Sequence, residues 1–373
     1  MIRKMLSLAF GGAMALALTL TATAGHAAPL RYRYVALDQV PLPPPYTFFF
    51  PSTVINGQVF GTVYDPTFTI ASVAEYSRGT ITVGAAGFAS VANHFGVIGG
   101  STLSLQAALF FGDNTSLIPR LPGETSASVV GLSDLNLSLV SSTNASFVST
   151  FAYFFAGTET VINFGLPNPV FGAFMNDFGL IGVTEEESQT TQFLQGYRYD
   201  PLRQVSTRLP PFAADPTETF VLVQGVNIRG EVLGYSYTNP SSSAYQESIG
   251  VWGATAVFQP YFTETINTSA LLFNDEDQIV ITLSSDGNTY LVPTPGTRVN
   301  LATLVPNVPA GLSLTQAISI DDGGNITGLA TDANFNEYPF LLLAMGENEA
   351  GPWDVGPVSG CALPAALGAH PRK

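Results

Sequence analysis

The chain of 373 residues is weakly charged and acidic, with 13 Lys and Arg against 28 Asp and Glu and a net charge of −15 at neutral pH. This balance argues against nucleic acid as a partner, because a phosphate backbone is bound by clustered basic residues. Charged residues make up only 11% of the chain, against about 25% in an average soluble protein, while Gly and Pro number 36 and 26. This composition is typical of exported β-proteins that carry their polarity on Ser, Thr and Asn.

The first residues have the form of a bacterial secretory signal. Arg3 and Lys4 precede an apolar stretch over residues 5–20, and small residues follow up to Ala27. An uncleaved membrane anchor is the alternative, but two glycines interrupt the stretch, which falls short of the ~20 apolar residues that a span needs. We therefore predict a signal peptide at 1–27, cleavage after Ala27, and a secreted or periplasmic mature chain of net charge −17 with no membrane span.

A short phrase then recurs seven times, with drift, along the mature chain: Asn or Asp, a turn ending in Gly, a β-branched residue or Leu, and a second Gly. Successive copies are 37 to 51 residues apart, which brackets the period of blade-type repeats. The first turn residues are Asn56, Asn93, Ser133, Asn176, Asn227, Asn274 and Asp321.

Each repeat is predicted to form four strands, A to D. Strand A ends at the Asn, whose side chain can accept hydrogen bonds from its own turn, and the Gly at the fourth position accepts a positive φ. The second Gly lies inside strand B, where it indicates close backbone approach or a bulge. An aromatic strand C and a strand D follow a longer polar loop.

The two ends of the chain predict how the array closes. The seventh repeat supplies strands A to C but no strand D, whereas residues 32–40 form a strand that belongs to no repeat. We therefore predict an all-β fold, a seven-bladed β-propeller over residues 28–346, whose N-terminal strand completes the last blade and leaves only short, protected sheet edges. Residues 347–373 are expected to form a flexible tail, with Cys361 either a free thiol or, less simply, an intermolecular bridge.

The repeats resemble the bacterial extracellular repeat family called HAF, after its His-Ala-Phe strand motif. Segments that carry the resemblance are residues 106–111, 117–123, 225–234 and, best of all, 317–343. The family's His is absent before every strand C, and the third and sixth repeats lack the turn Gly. The resemblance implies an exported repeat protein, a propeller, from a family without an established shared activity, and it supplies no catalytic residues.

Catalytic sets are not evident in the sequence. A Ser/His/acid triad needs a histidine placed to take a proton, and the mature chain has only His94 and His370. His370 lies in the tail, and His94 occupies a turn position that is Asp177 in a sister repeat. His94 is thus interpreted as an exposed turn residue, and no catalytic residue or cofactor is assigned.

Metal sites are equally unsupported by the sequence. Zinc or iron sites need several His or Cys ligands. Calcium is the open alternative, because Asp275, Glu276 and Asp277 cluster in one turn and Asp321, Asp322 and Asn325 in another, although neither set has EF-hand spacing and turn acids are expected for backbone reasons. No metal ligand is therefore assigned.

The leading hypothesis is a non-enzymatic exported binding module with an unknown ligand, a carbohydrate or a protein, held at the funnel of the ring or on loops such as residues 184–195. The alternatives are a polysaccharide lyase or hydrolase using funnel carboxylates and tyrosines, and a structural envelope protein. The run Glu185, Glu186 and Glu187 is interpreted as a solvated loop. Candidate funnel tyrosines are Tyr153, Tyr197, Tyr199, Tyr235 and Tyr245.

Overall fold

The computed structural model describes residues 31–345 except 136, 147, 156, 163, 167, 187–193, 213–218, 239–245 and 265–267. The predicted signal peptide, the C-terminal tail and Cys361 therefore lie outside the described residues. Within them, 28 strands form seven four-stranded antiparallel sheets. Two short 3-10 helices, Leu37–Gln39 and Leu301–Leu304, lie in connections between sheets. No described helix has the length and apolarity needed to cross a membrane.

The strands follow the predicted A to D order in every blade. Blade 1 contains β2 (Phe48–Ile55), β3 (Gln58–Tyr64), β4 (Ala71–Ser77) and β5 (Thr80–Ala86). Blade 2 contains β6 (Phe88–Ala92), β7 (Ile98–Ser101), β8 (Ala107–Phe111) and β9 (Asn114–Leu117). Blade 3 contains β10 (Glu124–Leu132), β11 (Ser138–Asn144), β12 (Ser149–Phe155) and β13 (Thr158–Val161). Blade 4 contains β14 (Val170–Met175), β15 (Ile181–Glu186), β16 (Leu194–Asp200) and β17 (Val205–Arg208).

The remaining blades continue the same meander. Blade 5 contains β18 (Thr219–Val226), β19 (Val232–Thr238), β20 (Gln246–Trp252) and β21 (Phe258–Glu264). Blade 6 contains β22 (Thr268–Phe273), β23 (Ile279–Leu283), β24 (Thr289–Thr294) and β25 (Thr297–Asn300). Blade 7 contains β26 (Ser313–Ile320), β27 (Ile326–Thr331), β28 (Glu337–Met345) and, as its outermost strand, β1 (Arg31–Ala36).

The ring is closed, as the sequence predicts. Each strand A contacts the strand A of both neighbouring blades, so that β2, β6, β10, β14, β18, β22 and β26 form a circle around the axis. β1 pairs antiparallel with β28, from Arg31 opposite Met345 to Ala36 opposite Phe340. The N-terminal strand thus serves as strand D of the last blade, although it ends at Ala36 rather than at residue 40.

Hydrophobic burial is divided among the interfaces between blades. The described residues form seven apolar clusters, and each one joins two adjacent blades or a blade and the segment that leads into it. The layer between blades 3 and 4, for example, packs Phe151 and Phe164 against Ile181 and Tyr199. This arrangement lets a long chain bury its apolar side chains without a single large core.

Candidate functional site

The turns between strands A and B converge around the axis at one end of the propeller, and we call this surface the axial turn face. Their first residues make the hydrogen bonds expected of Asx turns. Asn93 Oδ1 accepts from the backbone N–H groups of Phe95 and Val97, both at 3.1 Å, and Asn274 Oδ1 accepts from that of Gln278 at 2.8 Å. The fourth position has a positive φ even where Asp277 replaces Gly, at +61°.

The same side chains also join neighbouring blades. The Nδ2 group of Asn93 donates to the carbonyl oxygen of Ser133, and that of Asn176 donates to the carbonyl oxygen of Asn227, at 3.2 and 2.7 Å. Asn274 Nδ2 donates to the Asp321 carbonyl at 2.8 Å. Because these side chains are buried, the first turn position of blades 2 to 7 serves inter-blade packing and is not available to a ligand, whereas Asn56 of blade 1 is exposed.

The second turn position carries the chemistry of this face. Its residues are His94, Asp134, Asp177, Ile228, Asp275 and Asp322 in blades 2 to 7. His94 Nδ1 lies 3.1 Å from Asp134 Oδ2 and 3.5 Å from Asp177 Oδ2, and one potential ligand atom from each of the three residues falls within 4.8 Å of the others. We call His94, Asp134 and Asp177 the axial triad.

Three of the carboxylates also accept backbone hydrogen bonds from the preceding blade. The N–H of His94 donates to Asp134 Oδ1 at 3.1 Å, that of Ile228 donates to Asp275 Oδ1 at 2.6 Å, and that of Asp275 donates to Asp322 Oδ1 at 2.9 Å. These bonds direct each carboxylate sideways around the ring. Asp275 and Asp322, which belong to the two turns considered for calcium, therefore already accept hydrogen bonds from the backbone of a neighbouring blade.

The electrostatic field of this face is strongly negative. Partial burial, followed by the charge of Asp134, raises the pKa of Asp177 to about 6, and Asp275 and Asp322 add to the effect while His94 opposes it. The only Arg or Lys at the axial turn positions is Arg229, which is paired with Glu231 at 3.1 Å and also with Asp277. Arg198 also reaches this face, where its guanidinium donates to the Gly230 carbonyl oxygen at 2.8 Å, but the carboxylates outnumber the cationic groups.

The third turn position surrounds this centre with apolar side chains on three consecutive blades. Phe95, Leu135 and Phe178 are 67%, 68% and 64% exposed. The blades on the other side of the ring place polar residues there, Arg229 and Glu276. The axial turn face thus has an apolar half over blades 2 to 4 and a charged half over blades 5 to 7.

The described tyrosines singled out from the sequence pack between blades, and one of them reaches this face, where the Tyr153 hydroxyl donates to the Gly179 carbonyl oxygen at 3.3 Å. Tyr153, Tyr197 and Tyr199 pack between blades 3 and 4, and Tyr235 packs between blades 5 and 6. Tyr245 and most of the loop within residues 184–195 lie outside the described residues. The described tyrosines thus stabilise blade packing and do not line the axis.

The interpretation of the glutamate run as a solvated loop is wrong for its first two members. Glu185 and Glu186 belong to strand β15, and Glu185 is fully buried. One Glu185 oxygen accepts from the backbone N–H of Asn168 at 2.8 Å and from its side-chain Nδ2 at 3.2 Å. Strand β15 is buried along its length up to Glu185, and the Asn168 donors offset part of the desolvation of this carboxylate.

The triad could not be recognised from the individual repeats, because each member looks like an ordinary turn residue. Its signal is visible only when the repeats are aligned as columns: the second position is His or Asp in five of the blades, whereas the third position is apolar in three consecutive ones.

Comparison with known proteins supports the fold alone. The chain matches no protein-family model, and no curated protein matches it. The β-propeller domain of the Trilobed protease from Pyrococcus furiosus is similar with a TM-score of 0.52 and 11% identity, over 80% of this chain and 97% of that one. Its topology is described as an open velcro, whereas here β1 closes the ring.

Two further structures are similar. A catalytically inactive virginiamycin B lyase from Staphylococcus aureus with quinupristin has a TM-score of 0.52 and 11% identity, over 84% of this chain and 100% of that one. YCF48 bound to D1 peptide has a TM-score of 0.48 and 9% identity, over 85% and 97%. At these identities the similarity identifies a β-propeller and no activity.

Proposed function

We propose that the protein is an exported interaction module that binds a segment of a partner protein on the axial turn face. The observation that carries the proposal is the exposure of Phe95, Leu135 and Phe178 on three consecutive blades beside a cluster of carboxylates. Exposed apolar patches rimmed by polar groups are typical of protein interaction sites. Aromatic side chains commonly supply most of the binding energy at such sites.

Charge complementarity defines the segment that this face would accept. Its apolar side chains would cover the apolar half of the face, and a Lys or Arg would reach Asp275, Glu276 or Asp322 in the charged half. The chain's net charge of −15 favours encounter with basic partners. We therefore specify a segment in which a basic residue adjoins apolar ones.

Export rests on sequence features. The predicted signal at 1–27 and the resemblance to the extracellular HAF repeats both support a periplasmic or secreted location. The location is tested by fractionating cells that express the full chain and sequencing the N-terminus of the exported protein. A mature chain beginning at Ala28 is expected, and an uncleaved cytoplasmic protein would contradict the proposal.

The polysaccharide-active alternative gains no support from the described tyrosines, which pack between blades. We therefore propose binding without turnover. A glycan and polysaccharide panel tests the carbohydrate alternative directly.

The binding test uses the mature protein against a phage-displayed random peptide library, in parallel with a glycan and polysaccharide panel scored for retention and product release. Selected peptides should combine aromatic or aliphatic residues with Lys or Arg, and high salt should weaken their binding. The double variant Phe95→Ser/Phe178→Ser should lose about tenfold or more in affinity, which corresponds to ~1.4 kcal/mol.

The matched control is Phe335→Ser. Phe335 is 88% exposed in the loop between β27 and β28, at the opposite end of the propeller, so its removal should leave binding unchanged. Peptides that bind the double variant as well as the wild type would overturn the proposal. So would release of products from a polysaccharide, or retention of a glycan but no peptide.

A further inference from the structure

We propose that the axial triad is a binding site for a divalent transition-metal ion, with Zn²⁺ as the representative of the class. This inference goes beyond the proposed function, because a metal ion can occupy the triad whether or not a partner covers the face. It is carried by the convergence of three ligands from three successive blades: the imidazole of His94 and the carboxylates of Asp134 and Asp177.

The distances match a shared ion. A metal with ligands at about 2.0–2.2 Å places neighbouring ligand atoms roughly 3.0–3.5 Å apart in tetrahedral or octahedral geometry. His94 Nδ1 lies 3.1 Å from Asp134 Oδ2 and 3.5 Å from Asp177 Oδ2. Small side-chain rotations would bring all three atoms onto one ion, since none is more than 4.8 Å from another.

An ion pair alone leaves this cluster short of positive charge. The Nδ1 atom of His94 approaches both carboxylates, yet a single Nδ1 proton can bond to only one oxygen at full strength. Asp275 and Asp322 add further negative charge that reaches Asp177, and Arg229 is already paired with Glu231 and Asp277. A divalent cation would supply the missing charge.

The ligand set selects the class of ion. Imidazole with carboxylates suits Zn²⁺, Mn²⁺ and related ions, whereas Ca²⁺ prefers six to eight oxygen ligands. Three protein ligands also leave coordination positions for water or for a group from a partner. No single repeat predicts this site, because its members are 40 and 43 residues apart and belong to three different repeats.

The test is a calorimetric titration of Zn²⁺ into the EDTA-treated mature chain carrying Cys361→Ser and His370→Asn, which removes the tail residues that could bind zinc on their own. One Zn²⁺ per chain is expected. Adding His94→Gln or Asp177→Asn should weaken binding by at least the ~10-fold loss that even an outer-shell change causes. Asp332→Asn, in the loop after β27, is the control and should bind as before.

A second measurement keeps the proposal testable if a triad variant fails to fold. In the tail-substituted mature chain His94 is the only histidine, so its imidazole NMR signals are unambiguous. They should shift on addition of Zn²⁺. Unshifted signals, absence of Zn²⁺ binding, unchanged affinity in folded triad variants, or tighter binding of Ca²⁺ than of Zn²⁺ would each overturn the proposal.

Discussion

The carboxylate of Asp65 holds the loop between β3 and β4 in blade 1. It accepts hydrogen bonds from the backbone N–H groups of Thr69 and Ile70, both at 2.7 Å, and from the Thr67 hydroxyl. The Thr67 hydroxyl first, and then the backbone donors, lower the pKa of Asp65 to about 2. The loop they fix presents Phe68 at a φ of +57°, a conformation that a bulky residue rarely adopts.

Replacing Asp65 by Ala should lower the melting temperature at neutral pH, and the difference from wild type should shrink in acid. The folded-state pKa of about 2 lies below the ordinary value of 3.8, so the stabilisation is complete above pH 3.8 and is lost as the pH falls through 2. Thermal unfolding over this pH range provides the measurement. Asp65→Asn, which keeps an acceptor but no charge, should show a smaller loss that also shrinks in acid, whereas a constant difference for Asp65→Ala would contradict the electrostatic argument.

Single residues were the least predictable part of the sequence. The turn chemistry of Asn93 could be derived because an Asx turn depends only on its own few residues. Glu185 could not, because its burial depends on Asn168 and on the blade packed against it. His94 likewise acquires its neighbours from two other blades, and the ring geometry that brings them together is not encoded in any one repeat.

The strand pairs show why four of the strand B glycines recur. Strand A has a bulge opposite Gly61, Gly100, Gly234 and Gly328 in blades 1, 2, 5 and 7. A Cβ at any of them would overlap the carbonyl oxygen of a strand A residue just before the bulge. For Gly234 this is the carbonyl oxygen of Leu222. Gly99 and Gly182 instead face the next blade, where a Cβ would lie 2.6 Å from Val129 and Val223.

Gly234→Ala should therefore be strongly destabilising for its size, by about 1–3 kcal/mol, because the new methyl group forces strand A of blade 5 to move. Urea unfolding monitored by the fluorescence of Trp252, whose ring would lie 3.2 Å from the added Cβ, measures the change in midpoint. Gly172→Ala in strand A of blade 4 is the matched control, since nothing lies within 4 Å of its Cβ position. Equal midpoint shifts for the two variants would show that general strand propensity, not the bulge, decides the effect.

For the strands, the sequence predicts their order correctly and their first and last residues approximately. The column of turn residues locates every junction of strands A and B, even in the blades that depart from Asn-x-x-Gly, because turn residues have few conformational alternatives. It does not distinguish a glycine that faces a bulge from one that faces the next blade: the repeated phrase predicts Gly99 as the second Gly of blade 2, yet Gly100 is the residue opposite the bulge. Register depends on pairing with strand A, which a repeat consensus does not contain.

Closure of the whole molecule depends on β1. Tyr32 and Tyr34 of this strand are buried in the cluster between blades 6 and 7, and the side chain of Asn307 bonds to both backbone groups of Tyr34, at 3.1 and 3.3 Å. The strand could be predicted from the missing strand D of the last repeat. Its removal would expose the edge of β28, take Tyr32 and Tyr34 out of the interface between blades 6 and 7, and take Val35 away from the cluster between blades 7 and 1.

A mature chain lacking residues 28–36 should therefore be less stable and should associate through the exposed β28 edge, which size-exclusion chromatography and thermal unfolding would detect. A synthetic peptide of residues 31–40 should restore the monomer and raise the melting temperature as its concentration increases. At about 100 times its dissociation constant the peptide should add ~2.7 kcal/mol to the free energy of unfolding. A peptide with Tyr32→Ser and Tyr34→Ser should fail, since each loss of a buried aromatic ring costs ~3–5 kcal/mol. If the truncated chain stays monomeric and equally stable, inter-blade packing alone closes the ring. That result would mean that β1 only covers an edge that the seven apolar layers already hold in place.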